Sequence, residues 1–265
     1  MNFCTYFNST YITYGFTLIQ SLQKHCPNCS ISVLCLDNDT LRLTNLFFPK
    51  VNTLSLPELE STYQDLLSVK NKRSKTEYFW TLTPHLIEHV IKLFNCASVT
   101  YLDSDQFFFS SPKDIIREIN NYSISILPHR FRKDLKHLEI YGRYNVSWVT
   151  MKNDTNALHA LQWWKNKCIE DCSVNLDKGV VGDQKYLDFF QSKFSSVHVI
   201  RNKGCGIAPW NYEKSNDLIL YHFQSLKFIN SYIFAFNHSE YKFAIDRKIF
   251  KEIYKPFIKQ VINNF

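Results

Sequence analysis

The chain has 265 residues, of which 45% are hydrophobic and 16% aromatic, with only 6 Gly and 8 Pro. That is enough apolar material for one α/β domain, and it excludes a collagen-like, linker-rich or disordered chain. The formal net charge of +7 favours anionic ligands, whether nucleotides, phosphates, acidic glycans or a membrane surface; the basic residues are dispersed and carry no nucleic-acid-binding motif, so no nucleic-acid partner is expected.

Alternation of short apolar runs with helical patterns is the main structural signal. Phe3 to Phe7 reads as a first strand, and Tyr11 to His25 as an amphipathic helix with Phe16, Ile19 and Leu22 on one face and a stop at Pro27. Ile31 to Leu36 and Val51 to Leu56 read as strands, and Leu59 to Val69 as a short helix. Thr76 to Phe94 is a long helix with Pro84 as a possible kink. Val99 to Leu102 is an apolar strand running straight into Asp103. A helix opens at Pro112, strands follow at Ser123 to Leu127 and Trp148 to Met151, and a helix capped by Asp154 or Thr155 runs to Glu170. A shorter helix over Asp183 to Phe190 and strands at Val197 to Ile200 and Leu218 to Tyr221 complete the body. This βαβα order predicts a mostly parallel sheet with helices on both faces.

From Phe228 the pattern changes. Lys242, Arg247, Lys248, Lys251, Lys255 and Lys259 lie among Phe, Ile and Tyr. Residues 228–265 read as a helical extension packed on a catalytic domain of residues 1–227, in preference to an amphipathic helix lying on a membrane. No apolar run reaches the roughly 18 residues of a membrane span. No secretory leader precedes the eight cysteines, so a cytoplasmic protein with free thiols is expected, at most peripheral at the inner membrane face. Cys26-Pro27-Asn28-Cys29 lacks a second CxxC, and Cys168 and Cys172 lack a third ligand; both pairs read as structural thiols.

The chemistry concentrates at Asp103-Ser104-Asp105. In open α/β sheets ligands bind beyond the carboxyl ends of the strands. Two carboxylates one residue apart at such an edge repel unless a divalent cation or a ribose hydroxyl offsets them, and oxygen ligands suit Mg²⁺ or Mn²⁺. The same tripeptide is also common in plain surface turns.

Thr100-Tyr101-Leu102-Asp103-Ser104-Asp105, followed by Phe107-Phe108 and Ser111-Pro112, resembles the DxD region of the GT-A fold glycosyltransferases. Phe3-Cys4-Thr5-Tyr6-Phe7 with its helix resembles their nucleotide-binding first βα unit. Gly182-Asp183-Gln184-Lys185-Tyr186-Leu187 resembles the Asp-Gln motif of glycogenin-like and related galactosyltransferases, and Tyr221-His222-Phe223 their late metal-binding His. The resemblance covers most of Asn2 to Lys227 and extends to uncharacterised bacterial nucleotide-diphospho-sugar transferase-like proteins. It implies a GT-A (Rossmann-like) mixed sheet, mostly parallel, and transfer of a sugar from a UDP- or GDP-sugar to a glycan, lipid-linked or protein acceptor in surface glycan synthesis. It implies Asp103, Asp105 and His222 as ligands of Mn²⁺ or Mg²⁺, with Asp103 also on ribose and Ser104 within the donor site. Thr5, Tyr6 and Phe7 would line the nucleotide pocket, Asp183 and Gln184 would lie by the transferred sugar, and Asn145 by the donor sugar. The chain departs from the pattern at Lys185, where the family's second Asp would stand, and at Gln224 to Lys227, which leaves Lys227 to contact the diphosphate.

Arg73, between Lys72 and Lys75, and Arg130, after Pro128-His129, are further candidates for anion contacts. Each also has a bland reading as a solvated or structural cation. Trp210 reads either as core or as a sugar-stacking ring. Asp183 would serve an inverting or a retaining path. A sugar nucleotidyltransferase is the nearest rival, but its Gly-rich basic loop is replaced here by Asn8-Ser9-Thr10-Tyr11-Ile12. A nucleotide- or carbohydrate-binding protein of the same fold would explain the aromatics but not the paired carboxylates with His222.

Overall fold

A computed structural model describes residues 1–213, 217–229, 233–236 and 239–264. The strands in chain order are β1 (Asn2–Phe7), β2 (Ser30–Cys35), β3 (Asn52–Ser55), β4 (Ser98–Leu102), β5 (Gln106–Phe108), β6 (Ile124–Pro128), β7 (Tyr144–Lys152), β8 (Val174–Asn175), β9 (Val180–Val181), β10 (Val197–Val199), β11 (Leu220–His222), β12 (Lys227–Phe228) and β13 (Phe234–Ala235). Seven of them form the central sheet in the order β10-β6-β7-β4-β1-β2-β3. All neighbours pair in parallel except β7, which runs antiparallel to both β4 and β6. The mixed, mostly parallel sheet expected from the sequence is thus present.

Helices α1 (Ile12–His25), α2 (Asn38–Phe47), α3 (Leu56–Thr62), α4 (Gln64–Lys70), α5 (Lys75–Leu93), α6 (Lys113–Ile119), α7 (Thr155–Glu170) and α8 (Phe190–Lys193) cover the sheet. Side chains alternate across a strand, and β1 illustrates the result. Phe3 and Phe7 pack with Phe16, Ile19 and Leu22 of α1 on one face, while Cys4 joins Leu82, Leu86 and Val90 of α5 and Trp164 of α7 on the other.

Local chemistry explains most of the boundaries. Asp154 caps α7 by accepting from the Ala157 N–H at 2.9 Å, and Ser74 with Glu77 forms a capping box at the start of α5, which then runs through Pro84. The single helix expected over Leu59 to Val69 is two helices, broken at Tyr63, because Ser55 and Glu58 form a second capping box that starts α3 early. The segment after Asp183 is a 3₁₀ helix, Gln184–Phe189, running into α8, and a second 3₁₀ helix spans Lys133–Tyr141.

The tail contains α9 (Arg247–Ile249), a π-turn over Phe250–Tyr254, and α10 (Lys255–Ile262). Ile253, Tyr254, Phe257 and Val261 are buried against Tyr14, Tyr221 and Phe223. The Phe223 and Phe257 rings stack at 3.7 Å, and Gln260 donates to Gln20 of α1 at 2.6 Å. The opposite side carries Lys248, Lys251, Lys255 and Lys259 to solvent. Among the described residues no helix is long and apolar enough to cross a membrane.

Candidate active site

The apolar strand β4 ends at Leu102, and the chain turns out of the sheet through Asp103-Ser104-Asp105. It is caught at once by β5, which pairs antiparallel with β11 so that Gln106 faces His222. The Phe223 N–H donates to the Asp105 carbonyl at 2.9 Å, which fixes the turn against β11. His222 Nε2 consequently lies 3.0 Å from Asp105 Oδ1 and 3.8 Å from Asp103 Oδ2. The three ligating groups all fall within 4.8 Å of one another.

The electrostatics are those of a cation site. Desolvation pushes the Asp103 carboxyl up to about 6; His222 opposes that shift and repulsion from Asp105 adds to it. The Tyr101 hydroxyl donates to Asp103 Oδ1 at 3.0 Å. Burial lowers the basicity of His222, but the attraction of Asp105 and then Asp103 prevails and raises it above the ordinary imidazole value. One imidazole thus sits against two carboxylates. The Nδ1 atom of His222 is buried without a hydrogen-bond partner. Two oxygen donors and one nitrogen donor fit a divalent cation.

Asp183 stands in the same cavity wall, 2% exposed. Its backbone carbonyl accepts from Trp164 Nε1 at 2.9 Å, while its Oδ2 has no hydrogen-bond partner. Burial pushes its carboxyl up to about 7, opposed by a hydrogen bond from Thr83 and reinforced by Asp103. Gly182 makes this placement possible: its φ is +54°, and a Cβ there would lie 2.9 Å from the Trp80 ring. Gly182→Ala is therefore expected to destabilise the fold by about 2–3 kcal/mol, from the left-handed backbone and the displaced indole together, read as a lower midpoint in urea unfolding. Gln184 donates from Nε2 to the Tyr141 carbonyl at 3.3 Å and accepts from the Val146 N–H at 3.4 Å. It so ties the 3₁₀ segment before Gly142 to β7. Asn145, 4% exposed, accepts from the Ser147 N–H at 2.8 Å.

These groups line one cavity of about 540 Å³, within the range of small-molecule sites. It gathers Tyr6, Asp103, Ser104, Asp105, Asn145, Asp183, Gln184 and His222 from among the residues singled out in the sequence. Trp210 joins them, 2% exposed and edge-on to the His222 ring at 5.6 Å. Thr5 and Phe7 do not reach it: period-2 alternation turns both to the α1 face of β1, away from Tyr6. Arg73 is engaged with the Thr81 hydroxyl and the Ile169 carbonyl. Arg130 donates to the carbonyls of Cys205, Asn202 and Ile200. Lys227 is exposed at the start of β12. None of these three lines the cavity.

The sequence reading missed Tyr11, Trp80, His129, Glu240 and Tyr241, which do. His129 follows β6 at the strand end, a position that signals a site. The ring is 6% exposed, and burial, aided by His222, pushes its pKa down to about 3, so it is a neutral imidazole. Trp80 and Tyr241 gave no signal, because aromatics on a helix or in a loop read as core.

No protein-family model matches the chain. It is 30% identical to the uncharacterized protein YfnD of Bacillus subtilis (strain 168) over 275 aligned positions, covering 97% of this chain and 87% of YfnD. It is 29% identical to the uncharacterized protein YfnF of the same organism, covering 86% of this chain and 82% of YfnF. Among solved structures, mouse xyloside xylosyltransferase 1 superposes with a TM-score of 0.58 at 9% identity, over 84% of this chain and 98% of that one. The galactosyltransferase LgtC, in complex with donor and acceptor sugar analogs, superposes with a TM-score of 0.57 at 13% identity, over 98% of this chain and 95% of that one. The chain belongs to the family of Bacillus subtilis YfnD, and its fold is the GT-A fold of the glycosyltransferases.

Proposed function

We propose that the protein is a glycosyltransferase that moves a sugar from a nucleoside-diphosphate donor to an acceptor hydroxyl, in the synthesis of a surface glycan. One observation carries this reading: Asp103, Asp105 and His222 converge on a cavity of about 540 Å³ that is also lined by Asp183, a buried carboxyl whose Oδ2 has no hydrogen-bond partner. The likeness to xylosyltransferase and galactosyltransferase structures supports it at the level of the fold.

In this reading Asp103, Asp105 and His222 hold a divalent cation, and the imidazole in the donor set favours Mn²⁺ over Mg²⁺. When bound, the cation supplies neutralisation of the donor diphosphate, whose developing charge is the main electrostatic cost of the reaction. The remaining work falls to the protein's own groups. Tyr101 orients Asp103 through its 3.0 Å hydrogen bond. Asp183 faces the transferred sugar; with a pKa near neutrality it suits proton transfer with a hydroxyl, or support of positive charge at the anomeric carbon. Gln184 and Asn145, each anchored to backbone, shape the sugar subsite.

The test is thermal unfolding with a panel of nucleoside diphosphates and their sugars, with and without Mn²⁺. A ligand at 100 times its Kd stabilises the folded state by about 2.7 kcal/mol. UDP or GDP compounds are expected to raise the transition only when Mn²⁺ is present. No shift with any nucleotide or metal would remove the donor-site assignment. Binding without product release from any nucleotide-sugar would leave a binding protein of the same fold.

A further inference from the structure

The chain is basic, with a formal charge of +7, yet its cavity is acidic. Four carboxylates line it, Asp103, Asp105, Asp183 and Glu240, and among the described residues no Lys or Arg does. The neighbouring arginines are turned away and fixed there. Arg130 donates to three backbone carbonyls. Arg132 donates to the Pro209 and Tyr241 carbonyls at 2.8 and 2.7 Å. His129, the imidazole in the wall beside His222, is neutral.

Glu240 occupies a definite place in this wall. From the cation corner the surface runs from His222 to Trp210, edge-on at 5.6 Å, and then to Tyr241, 5.3 Å from Trp210. Glu240 precedes Tyr241 in the same 3₁₀ turn, Ser239–Tyr241, and is solvent-exposed at the cavity. No cation among the described residues pairs with it. Beside this wall, the His129 ring lines the same cavity, and its Nδ1 is buried without a partner. An aromatic floor with a free carboxylate and an unpartnered imidazole nitrogen suits a sugar ring carrying a cation. With the cation and the donor diphosphate compensating one another, the charge left uncompensated in this half is Glu240, which a second negative charge would face directly. Between partly exposed charges one such repulsion weakens binding on the order of tenfold.

We propose that the acceptor half of this cavity takes an amine-bearing sugar and discriminates against anionic ones, with Glu240 as the residue that sets the preference. The proposal rests on the transferase reading and deepens it.

The experiment titrates methyl glucosaminide, methyl glucoside and methyl glucuronide, one ring with three charges, into the full-length protein saturated with a nucleoside diphosphate and Mn²⁺. Saturation-transfer NMR reads the affinities. Wild type is expected to bind the glucosaminide at least about tenfold tighter than the glucuronide, with the glucoside between. In Glu240→Gln, a substitution at an exposed position, the ratio is expected to fall to within about threefold, because one carboxylate charge has gone. Nucleotide affinity is measured in both proteins as the control. A glucuronide that binds as tightly as the glucosaminide, a ratio unmoved in the variant, or no binding by any of the three glycosides overturns the proposal while leaving the donor site standing. Failure of the nucleotide itself to bind counts instead against the transferase reading.

Discussion

Asp105→Ala is expected to eliminate Mn²⁺-dependent nucleotide binding and to lower turnover by about 10²–10³-fold, the loss of roughly 3–4 kcal/mol of electrostatic stabilisation. The substitution is narrow in its structural effect. The turn is held by the Asp105 backbone, whose carbonyl accepts from the Phe223 N–H at 2.9 Å, and that bond survives side-chain removal. What disappears is the carboxylate 3.0 Å from His222 Nε2, leaving Asp103 at 3.8 Å as the remaining acidic partner. Isothermal titration of Mn²⁺ and nucleotide, with circular dichroism to confirm the fold, separates the two contributions. Affinity equal to wild type in the variant would show that Asp105 is not a ligand.

Asp183→Asn is expected to do two opposite things: to lower turnover by about 10²–10⁴-fold and to stabilise the protein at neutral pH. Asp183 has its folded pKa raised to about 7, through burial first and Asp103 next, against an unfolded value near 3.9. Between those values the native state holds a proton that the unfolded chain has released. Stability therefore falls as pH rises from about 4 to about 7, and stays lowered above that, where the carboxylate is charged, buried and unpartnered at Oδ2. An amide carries no such charge. The variant should gain on the order of 2–4 kcal/mol at pH 8 and almost nothing at pH 4, measured by urea unfolding at the two pH values. If the variant is less stable than wild type at pH 8, the carboxylate has a stabilising partner and its role as a strained, functional acid is wrong. Strain of this sort concentrates at active sites, where stability is given up for reactivity.

The parts of this protein that local chemistry controls could be read in its sequence. The apolar run Val99 to Leu102 had to be a buried strand, and its abrupt end at Asp103 placed two carboxylates at the edge of the sheet. Asp154 before Thr155 marked the start of α7, because a capping side chain acts within one turn. The helix over Leu59 to Val69 was misjudged because its capping box lies upstream of the hydrophobic pattern used to find it.

Tertiary structure decided the rest. β5 is three residues long, too short for any periodic signal, yet its pairing with β11, which the sequence placed one to two residues early at Leu218 to Tyr221, carries His222 across to Asp105 and brings a candidate cation site together from two distant segments. Which of Thr5, Tyr6 and Phe7 meets the cavity followed from which face of β1 the helix α1 covers. Charge was the least legible feature. Arg73 and Arg130 read as anion contacts or solvated cations until the fold shows each guanidinium donating to backbone carbonyl oxygen, and Glu240 gives no signal until the tail folds back to the cavity. The sequence alone determined the order of the central-sheet strands along the chain and the carboxylate pair, because these follow from local propensity and burial; only the tertiary structure decided the sign of the charge in the cavity, because that depends on where long side chains end after the whole chain has packed.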